Sequence, residues 1–230
     1  MLIDADNASA QHLERLLVEI AKYGKASVRR AYGDWTSDQL NSWKRALLEH
    51  SVQPVQQFAY TTGKNATDSA LIIDAMDLLH AGTLDGFCLV SSDSDFTRLA
   101  ARIREQGLTV YGFGQRKTPQ PFVAACDTFV YVENLAASSS ETPPTEVRKL
   151  RRDPKLDRLL AEAVDAASGD DGWAHLGAVG SNLSRLSSDF DSRTWGFAKL
   201  KDLVNAHPCY RVESRPTGEG KTPNAYVRQK

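Results

Sequence analysis

The chain has 230 residues with 41% hydrophobic content, 25% charged content and a net charge of −1, which suits a globular protein with room for one large domain or for a moderate domain plus a small one. No apolar run approaches the roughly 18 residues of a membrane-spanning helix, and "MLIDADNASA" has neither a basic stretch nor an apolar signal core, so a cytoplasmic location is expected. The three cysteines, Cys88, Cys126 and Cys209, are odd in number, widely spaced and lack CxxC pairing, which suggests neither a disulfide framework nor a zinc site and reads as small buried apolar residues.

Short apolar strands alternate with helical patterns from the start. "MLIDAD" predicts a strand; "SAQHLERLLVEIAKYG" predicts a helix with Leu13, Leu16, Leu17, Ile20 and Ala21 on one face and Gly24 at its end. Next come a strand in "ASVRRAYG", a helix in "SDQLNSWKRALLEH", a strand in "VQPVQQFAY" broken at Pro54, and a helix in "TDSALIIDAMDLLHAG" with Thr67 as N-cap. "GFCLVSS" is a continuously apolar strand, "SDFTRLAARIREQG" a helix, "LTVYGFG" a strand, "PQPFVAACD" a short helix and "TFVYVEN" a last strand. This alternation predicts an α/β fold of right-handed βαβ units, with helices covering both faces of a parallel sheet.

The Ser/Pro-rich stretch at 136–149 reads as a linker between a first domain, 1–135, and a second, 150–230. Residues 1–146 carry 13 Lys+Arg against 18 Asp+Glu, net −5; residues 147–230 carry 15 against 11, net +4. Opposite signs suggest modules with different partners. In the second, "KLDRLLAEAVDAAS", "WAHLGAVGSNLSRLS" and "SRTWGFAKLKDLVNAH" predict helices, and "CYRVESR" with "NAYVRQ" a terminal hairpin, together a small winged-helix (α+β) domain.

Functional groups of an open parallel sheet gather at the carboxyl ends of its strands. Asp4 and Asp6 end the first strand, Asp93 and Asp95 the fourth, and Asp68 falls in the first turn of a helix just after Lys64. If the two strands are neighbours, these carboxylates share a rim. Crowded carboxylates resist joint ionisation, and Mg2+ or Mn2+ would supply the counter-charge, with oxygen ligands and open positions suited to phosphodiester hydrolysis. Each residue alone is equally explained as a strand end, a cap or a helix-dipole partner: Asn7 or Ser9 can cap the first helix, and Asp95 the helix near Phe96. Convergence of three segments favours metal chemistry, whereas Asp74 and Asp77 lie on other faces of their helix and are expected to be solvated. The five histidines have no zinc spacing, "YGFGQRKTP" lacks GxGxxG, and no Walker A pattern is present.

The segments "LIDADN", "GKNATDSALIIDAM", "LVSSDSDFTRLAARIREQGLTVYGFG" and "TPQPFVAACDTFVYVENL" resemble, in order, the motifs of the NYN domain, a PIN-like, Rossmannoid nuclease fold of the LabA/DUF88 group. The resemblance implies a metal-dependent ribonuclease using Mg2+ or Mn2+, with Asp4, Asp68, Asp93 and Asp95 as catalytic and metal-holding residues and Asn7 in support. Ser92 stands where many relatives have glycine, and only Met1 to Ile3 precede Asp4. "LLAEAVDAASGDDGWAHLGAVGSNLSRL", "FDSRTWGFAKLKDLVNAHPCYRVE" and "NAYVR" resemble the OST-HTH, or LOTUS, winged-helix domain, which implies RNA binding or, in some relatives, protein binding. Cationic residues there suit phosphates: Arg193, Lys199 and Lys201 near the third helix, and Arg211, Arg215, Lys221 and Arg228 on the wing. Trp195 and Phe197 are expected to fill the core rather than stack on bases.

The leading expectation is therefore an endoribonuclease acting on single-stranded or structured RNA, with Lys64, and less directly Arg98 and Arg116, placing phosphate. Two alternatives stand beside it: a non-catalytic RNA-binding or adaptor protein with a vestigial site, and a phosphatase with Asp4 as nucleophile.

Overall fold

The structure, a computed structural model, describes residues 1–58, 66–136, 153–216 and 223–230. The chain divides into two compact units, Met1–Ala136 and Ala137–Lys230. Apart from Ala136, the expected linker lies outside the described residues.

The first unit holds strands β1 (Leu2–Asp4), β2 (Arg30–Gly33), β3 (Gln53–Gln56), β4 (Gly86–Val90), β5 (Thr109–Gly114) and β6 (Thr128–Tyr131). All neighbours run parallel, in the order β3-β2-β1-β4-β5-β6. Helices α1 (Leu13–Ile20), α2 (Asn41–Glu49), α3 (Ala66–His80), α4 (Thr97–Glu105) and α5 (Gln120–Ala125) connect them, and α6 (Val132–Ala136) follows β6. Successive strand residues enter opposite cores, which is why the strands read as unbroken apolar runs. Leu2, Phe87 and Leu89 pack with Leu71, Phe96, Leu99 and Phe122 on one face; Ile3 and Val90 pack with Leu13, Leu16, Trp43 and Leu47 on the other.

The sheet order places β1 against β4, with Leu2 opposite Leu89 and Ile3 opposite Val90. The connection order reverses between these two strands, leaving a crevice beyond their carboxyl ends. Three local expectations change. The second strand keeps only the last four residues of its segment, and Pro54 sits in edge strand β3, where its missing N–H costs no central ladder bond. Thr67 lies inside α3 rather than capping it, and its hydroxyl donates to Asp6 Oδ2 at 2.9 Å. Cys126 is buried and Cys88 half-buried, but Cys209 is exposed.

The second unit contains α7 (Pro154–Asp165), β7 (Ala174–His175), α8 (Leu176–Leu186), α9 (Leu200–Ala206), β8 (Tyr210–Arg215) and β9 (Asn224–Gln229), with an antiparallel sheet ordered β7-β9-β8. Asp153 caps α7 by accepting from the amides of Lys155 and Leu156, and Pro154 fits the first helical position. The third expected helix is interrupted: a 3₁₀ turn, Ser192–Trp195, ends at Gly196 with φ 84°, a left-handed conformation that glycine adopts without strain, and α9 starts four residues later. Leu160, Val179, Leu183, Leu203, Val204 and Val227 are fully buried at the centre. Trp195 and Phe197 pack against that core, as expected of fillers. Among the described residues no helix is long and apolar enough to cross a membrane.

Candidate metal centre

Asp4 is fully buried, and its carboxylate is already engaged. Oδ2 accepts from Ser91 Oγ at 2.7 Å and from Asn7 Nδ2 at 2.8 Å, while Oδ1 accepts from the Asn7 amide at 3.3 Å. The same Ser91 hydroxyl oxygen accepts from the Asp93 amide at 3.1 Å, so one side chain ties the exit of β4 to the end of β1. Ser92 Oγ accepts from the Gln115 amide at 2.9 Å and links β4 to the loop after β5. Gly114 makes this closeness possible, since a Cβ there would lie 2.6 Å from both Ser91 O and Thr118 Oγ1.

Asp93 caps the 3₁₀ turn Ser94–Phe96, accepting from the Asp95 amide at 2.9 Å. The capping role that was the alternative reading for Asp95 belongs to Asp93, and Asp95 is exposed in the first turn. Buried Asp68 comes across from α3, and one carboxylate oxygen from each of Asp68, Asp93 and Asp95 lies within 4.8 Å of the other two. Burial, followed by the charges of Asp4, Asp93, Asp95 and Asp6, pushes the Asp68 carboxyl up to about 6. Burial also raises Asp4, against the lowering effect of its hydrogen bonds from Ser91 and Asn7. Three carboxylates in such proximity are a hard, oxygen-only donor set whose repulsion a divalent cation relieves, so the residues fit Mg2+ or Mn2+.

Asp4 thus stands beside the trio rather than within it, and Asn7 positions Asp4. Asp6 is exposed and bonded to Thr67. Lys64 lies outside the described residues. Arg98 is exposed; Arg116 donates to Asn134 Oδ1 at 3.0 Å and lies over the Tyr131 ring, so its guanidinium is committed to structure. Asp74, expected to be solvated, instead accepts from Arg30 and from the Tyr32 hydroxyl, each at 2.8 Å, because α3 packs over β2. Asp77 is exposed.

In the second unit, Arg193 is paired with Asp191 through Nε and Nη2 at 2.7 to 3.0 Å. Lys201 donates to Ser214 Oγ at 3.0 Å, Lys199 and Arg211 are exposed, and Lys221 lies outside the described residues. Arg215 stacks on Trp173 and Tyr226, and Arg228 also lies over Trp173. The sequence reading missed these two aromatics; for Tyr226 the available signal was its spacing two residues before Arg228, which puts both on one face of a strand, whereas Trp173 precedes β7 and carried no such signal. It also gave no role to Ser91, whose position directly after an apolar strand facing Asp4 was the clue.

A family model of the NYN domain matches residues 1–135, and one of the OST-HTH/LOTUS domain matches residues 150–222. No curated protein matches the chain. Similar solved structures include an uncharacterised protein of Nitrosomonas europaea, 35% identical, spanning 40% of this chain and 88% of its own, with a TM-score of 0.32. A protein of unknown function from Vibrio parahaemolyticus is 19% identical, spans 56% of this chain and 89% of its own, and has a TM-score of 0.48. A segment of a Chromobacterium violaceum protein is 28% identical over 35% of this chain and 86% of its own, with a TM-score of 0.28.

Proposed function

Since the chain belongs to the NYN family of PIN-like nucleases and carries an OST-HTH/LOTUS domain after it, we propose that it is a metal-dependent endoribonuclease whose second unit holds the RNA. The observation that carries this reading is the trio of Asp68, Asp93 and Asp95 oxygens within 4.8 Å of one another at the β1–β4 crevice. These three side chains would hold Mg2+ or Mn2+, which when bound polarises a phosphate oxygen and lowers the pKa of water. Ser91 fixes both Asp4 and the Asp93 backbone, and Asn7 holds Asp4 from the other side. Burial, and after it the charge of Asp4, raises the Asp68 carboxyl and so strengthens the demand for a cation at the trio.

The same geometry argues against a phosphatase using Asp4 as nucleophile, because that carboxylate is buried and its oxygens are occupied by Ser91 and Asn7. The net −5 of residues 1–146 repels RNA without cations, whereas the net +4 of residues 147–230 attracts it. Incubation of the purified chain with labelled single-stranded RNA and Mn2+ tests the proposal. Cleavage that disappears with EDTA and in an Asp93→Asn variant is expected; undiminished cleavage by that variant would remove Asp93 from the mechanism.

A further inference from the structure

In the β8–β9 ladder Val212 faces Val227 and both pack against the core, so Arg211, Glu213 and Arg215 share the outer sheet face with Asn224, Tyr226 and Arg228. His175 of β7 joins this face opposite Tyr226. The Arg215 guanidinium carbon lies 4.7 Å from the ring centres of both Trp173 and Tyr226, and that of Arg228 lies 5.4 Å from Trp173. These contacts hold planar cations against aromatic rings that stay half-exposed. Arg211 and Arg228 are direct partners in the ladder, a like-charge placement that costs stability and that a polyanion relieves. Among the described residues, Arg215 has two acidic partners, Glu213 at 3.4 Å and Asp171 at 3.8 Å, both partly exposed pairs of small worth.

We propose that this outer face is where the second unit binds single-stranded RNA, with bases stacking on the Trp173, Tyr226 and Arg215 planes and phosphates meeting Arg211 and Arg228. The inference rests on the reading of the chain as RNA-binding and narrows the expected cationic surface, which spanned the third helix and the wing, to the outer face of the sheet with its two aromatic rings. An unpaired strand is required because aromatic and guanidinium planes stack on splayed bases, which a duplex hides.

The test uses the full chain in EDTA, where cleavage is absent, and fluorescence anisotropy with a labelled single-stranded RNA of about 15 nucleotides. An Arg211→Gln/Arg228→Gln variant should lose affinity at least about tenfold and flatten the slope of log affinity against log salt by about 1.4, the share of two phosphate contacts on a single strand. Tyr226→Ala should weaken binding about fivefold or more. An Arg158→Gln/Arg185→Gln variant, which removes the same charge from α7 and α8, should leave affinity near that of the wild type. Wild-type affinity in the folded Arg211/Arg228 variant overturns the inference, as does equal binding of a duplex of the same sequence. Loss in Lys199→Gln/Lys201→Gln in place of the sheet variants also overturns it while leaving the proposed function intact. A wild type that neither binds this RNA nor cleaves it with Mn2+ removes the proposed function itself.

Discussion

The acidic rim of the first unit and the arginine-aromatic face of the second handle charge in opposite ways. At the rim, strand ends bring carboxylates to a point, and hydrogen bonds fix them: Ser91 holds Asp4 and the Asp93 amide, and Asp93 in turn holds the Asp95 amide. On the sheet face, cations spread along two strands and are steadied by ring contacts, with no buried charge and little direct pairing. The first arrangement concentrates repulsion that a compact counter-ion can cancel; the second offers a broad field that suits an extended polyanion. A reaction site therefore depends on which strands are adjacent, whereas a binding face depends on which residues share a side of the sheet.

The largest effect should come from separating the two. Asp93→Asn is expected to reduce RNA cleavage by more than the 10- to 100-fold typical of groups that merely support a metal's ligands, while RNA affinity in EDTA stays unchanged. A parallel fall in affinity would show that rim and face are not independent. Next in size is Ser91→Ala, which strips one donor from Asp4 and the acceptor from the Asp93 amide. Cleavage and Mn2+ affinity by calorimetry should drop about 10- to 100-fold, with a stability loss of about 1 to 3 kcal/mol in urea unfolding. Wild-type Mn2+ affinity would deny Ser91 a positioning role.

The pH response should be smaller and specific to the rim. The Asp68 carboxyl titrates at about 6 when folded and near 4 when unfolded. Between these values the folded chain keeps a proton that the unfolded chain has released, so the contribution of this group to metal-free stability is full below about pH 4 and is lost as pH rises through about 6. Urea melts across that window should show the loss, and Mn2+ should reverse it above pH 6; a metal-free profile flat across the window would mean that burial and the neighbouring carboxylates together do not raise Asp68. The smallest effect belongs to Trp195→Phe. Removing the Nε1 donor to Asp153, 2.9 Å away, should cost about 1 kcal/mol in stability and leave RNA affinity alone. Weakened binding would place Trp195 on the RNA surface instead of in the core.

The strand-helix alternation was legible because parallel strands buried on both faces give unbroken apolar runs, as in "GFCLV". That Asp4 and Asp93 approach one rim required β1 beside β4, which local pattern does not encode. Asp93 rather than Asp95 as the cap, and Asp191 clamping Arg193, are two-residue relations already visible in "DSD" and "DSR". Asp74 was misread because its partners, Arg30 and Tyr32, are more than forty positions away on β2. Trp173, Arg215 and Tyr226 meet only through strand register, which the sequence of a hairpin with a long connection leaves open.

Gly114 carries a consequence for mutational tolerance. It lies on β5, separated from β1 by β4, and bears no side chain to donate, accept or bind. Any replacement places a carbon 2.6 Å from Ser91 O and presses on the segment that shapes the rim. A saturation scan for nuclease function should show Gly114 among the least substitutable positions of the first unit, and comparison by catalytic residue type alone would overlook it. Selection for a working site therefore falls on an absent side chain as well as on the carboxylates.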